Sequence, residues 1–416
     1  MIYLQINKKL MAFIKFLIPI VVVAVAVFFG YNNLKDLTFY EKNLQSEQNE
    51  IIVKENNNPV LSPTGKLNYI GWSRNPSPFY MNPESIRASS SITKYVDQLR
   101  YKKWEFYLFT SKDFMFGFAV FDMSVVKGHF IHYADLQDKE SKLKKIEHIS
   151  PFGNAVIPDN CKKNCKSANY TTEVDGIKLA EISKTSPNSH KMKLKASNAD
   201  FNLDIDVTLD TPTPDSDSYV GFVPINEDSS LFFHTTKTNL LLPKGKIQIN
   251  NKEYNTADFM ACYDSGRGVW PIRSGWVWAS GNGKAKDGSL LGLNFGHGFS
   301  HPKSTRSTED IFYINGKGFK LGSSKTEIGP KLFEEFSDNE EINVRFDNEV
   351  KPNENHCQVN FKISKRLFYE GKILYLFQMK FIISYGVFSG RCTTADGTVY
   401  NFDDVYGILE YQNAIW

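Results

Sequence analysis

Apolar and polar residues alternate one by one along much of this chain. In "FNLDIDVTLD", Phe201, Leu203, Ile205, Val207 and Leu209 take one parity, and Asn202, Asp204, Asp206, Thr208 and Asp210 take the other. A period of two places the two sets on opposite faces of a half-buried antiparallel strand. "KGKIQINNKEY" and "HCQVNFKISKRLFY" alternate in the same way, and "WEFYLFTSKDFMFGFAVFDMSVV" reads as two aromatic-rich strands around Ser111-Lys112-Asp113. Asp175-Gly176, Asn315-Gly316 and Asp396-Gly397 are hairpin-type pairs, because both residue types tolerate the positive φ that tight hairpin turns require. Beyond the N-terminal region no long helical period appears; "KLFEEFS" is at most a turn or two. The body is therefore expected to be all-β. At some 350 residues it is expected to form two barrels or sheets, with a boundary near "DTPTPDSDSYVGF", where Pro212 and Pro214 interrupt the strands.

One stretch breaks the alternation differently. "FLIPIVVVAVAVFFGY", Phe16 to Tyr31, is an unbroken apolar run. Extended by "LMAFIK", it reaches the length of a membrane-spanning helix, with Lys15 at the headgroups. Lys8 and Lys9 lie before it, and no acidic residue precedes Asp36. Three readings stay open: an uncleaved signal anchor, which fits best, a cleaved signal peptide at Ala24-Val25-Ala26, and a mitochondrial inner-membrane anchor. The chain is thus expected to be a single-pass membrane protein of the secretory pathway or of that inner membrane. The expected organisation is an anchor over residues 1–35, a polar linker over 36–60, and β domains over 61–215 and 216–416.

Composition narrows the function classes. Lys and Arg number 49 against 46 Asp and Glu, a net charge of +3, so no electrostatic field points to nucleic acid. Of the five cysteines only Cys161 and Cys165 lie close together. A disulfide or a metal clip could join them, but zinc needs a second pair, and no metal or cofactor is expected. The sequon Asn169-Tyr170-Thr171 follows directly. No nucleophile elbow, phosphate loop or dinucleotide fingerprint is present.

The candidate chemistry gathers in "YDSGRGVWPIRSGWVWASG". Trp276 and Trp278 would project from one face of a strand. Asp264 and Arg267 would form a buried pair across a glycine turn, with Arg273 as the alternative partner. Asp264 and Glu309 are candidate acids, and Arg267 is a candidate charge stabiliser. Trp270, Arg273, Trp276, Trp278, Asn294 and His297 are candidate ligand-binding residues. His129 and His132, three apart, would face opposite sides of a strand.

These blocks, together with "GKLNYIGWSRNP", "LGLNFGHG", "TEDIFYINGKGFKL" and "YGVFSGRCTTADGTVYNFDDVYGILEYQNAIW", resemble the family called domain of unknown function 2804. The likeness runs from Leu61 to Trp416. One departure is Thr308-Glu309-Asp310, where the family pattern has Thr-Glu-Asn. The family is distantly similar to tandem lipocalin-like proteins that include carotenoid hydratases and fungal cyclases. The resemblance implies two lipocalin-like antiparallel barrels or sheets handling apolar, lipid-like molecules. Three functions follow as expectations: a membrane-tethered lipid or isoprenoid binder, a structural subunit of a membrane complex, and a hydratase, isomerase or cyclase acting on a hydrophobic substrate.

Overall fold

The computed structural model describes residues 49–415 apart from 55–56, 77, 89–99, 125, 139, 152, 158–167, 187, 272, 299–308, 323, 334–342, 349 and 374–376. The expected membrane segment, Cys161 and Cys165 lie outside the described residues. Among the described residues no helix is long and apolar enough to cross a membrane.

The alternating stretches are strands, and they assemble into two curled antiparallel sheets. The first runs in the order Lys144–Pro151, Val126–Asp135, Phe114–Asp122, Tyr101–Thr110, Met260–Val269, Phe232–Ile249, Asn202–Asp210, Ser189–Ser197, Ile177–Ser186, Ala168–Val174, Ala155–Val156. The second runs Lys317–Lys320, Ile311–Ile314, Leu290–His297, Arg273–Lys284, Val399–Ile415, Phe377–Thr393, His356–Ile373, Asn343–Asn348, Ser324–Ile328. The Asp175-Gly176 and Asn315-Gly316 pairs sit at hairpin turns with all four φ angles positive.

The chain crosses from one sheet to the other between Val269 and Arg273, inside the tryptophan-rich stretch. Strands between residues 219 and 269, C-terminal to the break read at Pro212 and Pro214, belong to the first sheet. The long strand Phe232–Ile249 explains this, because it pairs with Asn202–Asp210 at one end and Met260–Val269 along the other.

Each central strand is buried on both faces, and residue parity decides which core it feeds. In Tyr101–Thr110, Tyr107 and Phe109 point into the curl of the first sheet with Leu203, Ile205 and Val207. Phe106 and Leu108 point the other way, into a core shared with the second sheet. In Arg273–Lys284, Val277 and Ala279 fill the second curl, while Trp276 and Trp278 face the first sheet. The two tryptophans therefore lie between the sheets, outside either curl. Full burial of each such aromatic side chain contributes roughly 1.5–3 kcal/mol.

Asn239 joins the two layers. It sits at an irregularity in the pairing of Phe232–Ile249 with Met260–Val269, where Leu240 adopts a φ of 60°. Its amide donates to Ser280 Oγ, Gly281 O, Asn282 Oδ1 and Leu293 O of the second sheet at 3.0 to 3.2 Å. Cys357 and Cys392, directly opposite on neighbouring strands, form a disulfide. Cys262 is free and buried.

Candidate functional site

The strand Met260–Val269 carries one polar cluster on each face. Asp264 and Arg267 differ in parity, so on a continuous strand they point apart. The expected pair between them is not formed. Asp264 Oδ2 instead meets Lys237 Nζ at 2.7 Å, and Arg267 meets Glu105 Oε1 at 2.9 Å. Gly266 and Gly268 make no turn here. They lie within the strand, and a side chain at 266 would collide with the Trp104 indole.

On the inner face, Glu105 is the centre of a closed network. It accepts from Lys184 at 2.6 Å, Tyr170 at 2.7 Å, Tyr263 at 2.8 Å and Arg267 at 2.9 Å. Burial opposes its charge, but Lys184 and Arg267 outweigh burial and hold it down to about 2. The Glu105 carboxylate is paired with protein groups at both oxygens and the network contributes no residue to the cavity described next, so Arg267 is part of the interior of the first curl.

The outer face of the same strand opens on a cavity of about 310 Å³ between the sheets. Strand register makes its walls. Lys237, Asp264, Phe106, Ala119, Phe130 and Glu147 are successive cross-strand partners, forming one straight row over six strands. Trp276, Gln412, Phe381 and Tyr369 form the facing row of the second sheet. All ten line the cavity. Cross-strand partners project from the same face, so each row presents its side chains to the other.

At one end stand Lys237, Asp264 and Glu410. Burial works against the Lys237 charge, but Asp264, with Glu309, more than offsets it and raises its pKa. Lys237 Nζ also lies 4.6 Å from the centre of the Trp278 ring, a cation–π contact. Glu410 faces the cavity, and its Oε2 accepts from Trp276 Nε1 at 3.3 Å. Burial, reinforced by Asp264, pushes Glu410 up to about 7. Glu309 is fully buried, 3.6 Å from Lys237 Nζ, and neither of its oxygens has a hydrogen-bond partner. Burial pushes it up to about 8, so at neutral pH Glu309 is mainly protonated and Asp264 is the counter-ion of Lys237.

The other expected residues fall in distinct places. Trp276 and Trp278 line the cavity. Asn294 stands behind them, accepting from Trp278 Nε1 at 2.9 Å and donating to Glu309 O at 2.9 Å. Trp270 is fully buried beside the site, packed edge-on against Trp104 and Trp276. Arg273 is exposed at the start of its strand. His297 ends the strand Leu290–His297, and its side chain lies outside the described residues. His129 and His132 share the strand Val126–Asp135 at odd spacing, as expected, and His132 reaches the cavity.

Sequence reasoning missed Lys237, Glu410, Glu147 and Tyr369. Two of them carried a signal. Lys237 is the one Lys, Arg, Asp or Glu within "FFHTTKTNLLL", and Glu410 shares parity with Ile408 and Ala414. A charge on an otherwise apolar face marks a site or a buried pair.

Among the described residues no group of three or more His, Cys, Asp and Glu could hold a metal ion. The sequence profile of the family described as domain of unknown function (DUF2804) matches residues 48–416. The chain belongs to this family. No curated protein matches the sequence. Solved structures similar to this DUF2804 chain include CghA, at 8 % identity and a TM-score of 0.46, covering 75 % of this chain and 87 % of that one. Kievitone hydratase from Nectria haematococca is another, at 13 % identity and a TM-score of 0.39, covering 75 % and 88 %.

Proposed function

We propose that this protein binds a mostly apolar small molecule between its two sheets. A polar group of that molecule is held against Lys237, Asp264 and Glu410. The observation that carries this reading is the meeting of a buried ion pair and a neutral-range carboxyl with an aromatic-walled cavity. Apolar walls with a few convergent polar groups are the usual make-up of small-molecule sites, and about 310 Å³ is at the small end of their range. The volume suits a single small molecule rather than a whole membrane lipid.

A second reading has the pocket protonate what it binds. Glu410, raised to about 7, holds a proton at the pH where it could donate one. Hydration, isomerisation or cyclisation of an apolar substrate would use such an acid.

The test fills the cavity. Ala119 sits in the middle of the first row, flanked by Phe106 and Phe130. Ala119→Trp should abolish enhancement of anilinonaphthalene sulfonate fluorescence by the folded protein while the circular dichroism spectrum stays that of the parent. Unchanged probe binding in a folded Ala119→Trp protein would overturn the reading.

A further inference from the structure

The cavity has a second polar end, and it is built as carefully as the first. His132 is fully buried, and its Nε2 lies 3.3 Å from Glu147 Oε1 and 3.2 Å from the Tyr369 hydroxyl. Glu147 also receives Lys145 Nζ at 2.8 Å, and Lys145 lies 4.7 Å from the centre of the Tyr369 ring. The three groups come from both sheets: His132 and Glu147 from the first, Tyr369 from the second. All three line the cavity.

The proton inventory of this end can be worked out. Burial raises Glu147, but His132 and Lys145 outweigh it and keep the carboxyl below its ordinary range. An ionised carboxylate only accepts, so His132 Nε2 carries the hydrogen and donates to it. The same N–H faces the Tyr369 oxygen, which can then only accept from it. The Tyr369 O–H proton is left over, and His132 Nδ1, the bare acceptor of that tautomer, has no hydrogen-bond partner. A donor and an acceptor are thus unspent at this end.

The register fixes how far apart the two ends are. Within the first row, Asp264 and Glu147 have three strands between them, which is four inter-strand spacings. Trp276 and Tyr369 terminate the facing row at three spacings. At about 4.8 Å per spacing these are about 19 and 14 Å along the sheets. Between the ends the walls are Phe106, Ala119, Phe130 and Phe381.

Resting on the binding reading above, we infer that the ligand is an elongated apolar molecule with a hydrogen-bonding oxygen at each end, one taken by Lys237 and Glu410 and the other by Tyr369 and His132. A ligand with one polar end would leave the second set unpaired, and an unpaired buried polar group is penalised. A ligand with two polar ends would be penalised in a pocket that satisfied only one. The two architectures therefore rank the same pair of probes in opposite order.

The experiment is displacement of anilinonaphthalene sulfonate from the full chain by decanol and by the terminal decanediol. The diol should displace the probe at a concentration no higher than decanol does. Tyr369→Phe, with unchanged melting temperature, should raise the diol concentration roughly tenfold and leave decanol unaffected. If the diol is tenfold or more weaker than decanol on the parent protein, and Tyr369→Phe changes neither, the two-ended ligand is overturned while the pocket itself stands. If neither alcohol displaces the probe, the binding reading falls with it.

Discussion

Lys237→Met should destabilise the protein by about 3–5 kcal/mol, the penalty for stranding one partner of a buried ion pair. Lys237 is 2 % exposed, and its nearest anion, Asp264 at 2.7 Å, is 7 % exposed in its side chain. Removing the cation leaves that carboxylate among aromatic side chains, with Thr235 Oγ1 donating to it at 3.5 Å. The cost should sit almost wholly on Asp264, because Glu309, raised to about 8, already carries a proton at neutral pH. Asp264→Asn in the Lys237→Met background should then recover most of the loss, and Glu309→Gln in that background should recover little. Chemical denaturation of the parent and these three variants measures this. Recovery by Glu309→Gln rather than Asp264→Asn would reverse the assignment of the counter-ion.

The second large effect belongs to the other face of the same strand. Glu105→Gln should cost about 3–5 kcal/mol, since Arg267, 1 % exposed in its side chain, loses its anion at 2.9 Å. Lys184→Met should cost less, because the lysine side chain is 17 % exposed and Arg267 still compensates the carboxylate. The pH dependence has a definite sign. Glu105 titrates at about 2 in the folded chain and near 4.3 when unfolded. Its contribution is complete above pH 5 and is lost as pH falls through 4 towards 2, by about 3 kcal/mol. The gap between the parent and Glu105→Gln should therefore narrow in acid. A gap that is flat from pH 7 to pH 2.5 would show that Glu105 is not held ionised by its neighbours.

What the sequence makes legible is local. The strand read from Phe201 to Asp210 exists as Asn202–Asp210, with Leu203, Ile205, Val207 and Leu209 buried and Asp206 exposed. Trp276 and Trp278 share a face because they are two apart. The same rule, applied to Asp264 and Arg267, separates them. Reading Gly266 and Gly268 as a turn hid that, and the glycines are there to admit neighbouring indoles. The partners of both residues were out of reach for a different reason. Lys237 and Glu105 lie 27 and 162 positions from Asp264 and Arg267, and only strand register brings them into contact. No spacing along one strand encodes which strand lies beside it. The second polar end is the extreme case: Tyr369 meets His132 across 237 positions and two different sheets. The disulfide follows the same logic, with Cys357 and Cys392 separated by 35 positions yet directly opposite.

The central claim is that the space between the sheets holds a small molecule. Native mass spectrometry of the full chain, released in mild detergent, tests it most directly. The parent protein should carry an added mass of one small molecule that is shed on activation, and folded Ala119→Trp should fly at the mass of the chain alone. A parent protein that is bare, or an added mass retained by Ala119→Trp, would contradict the account.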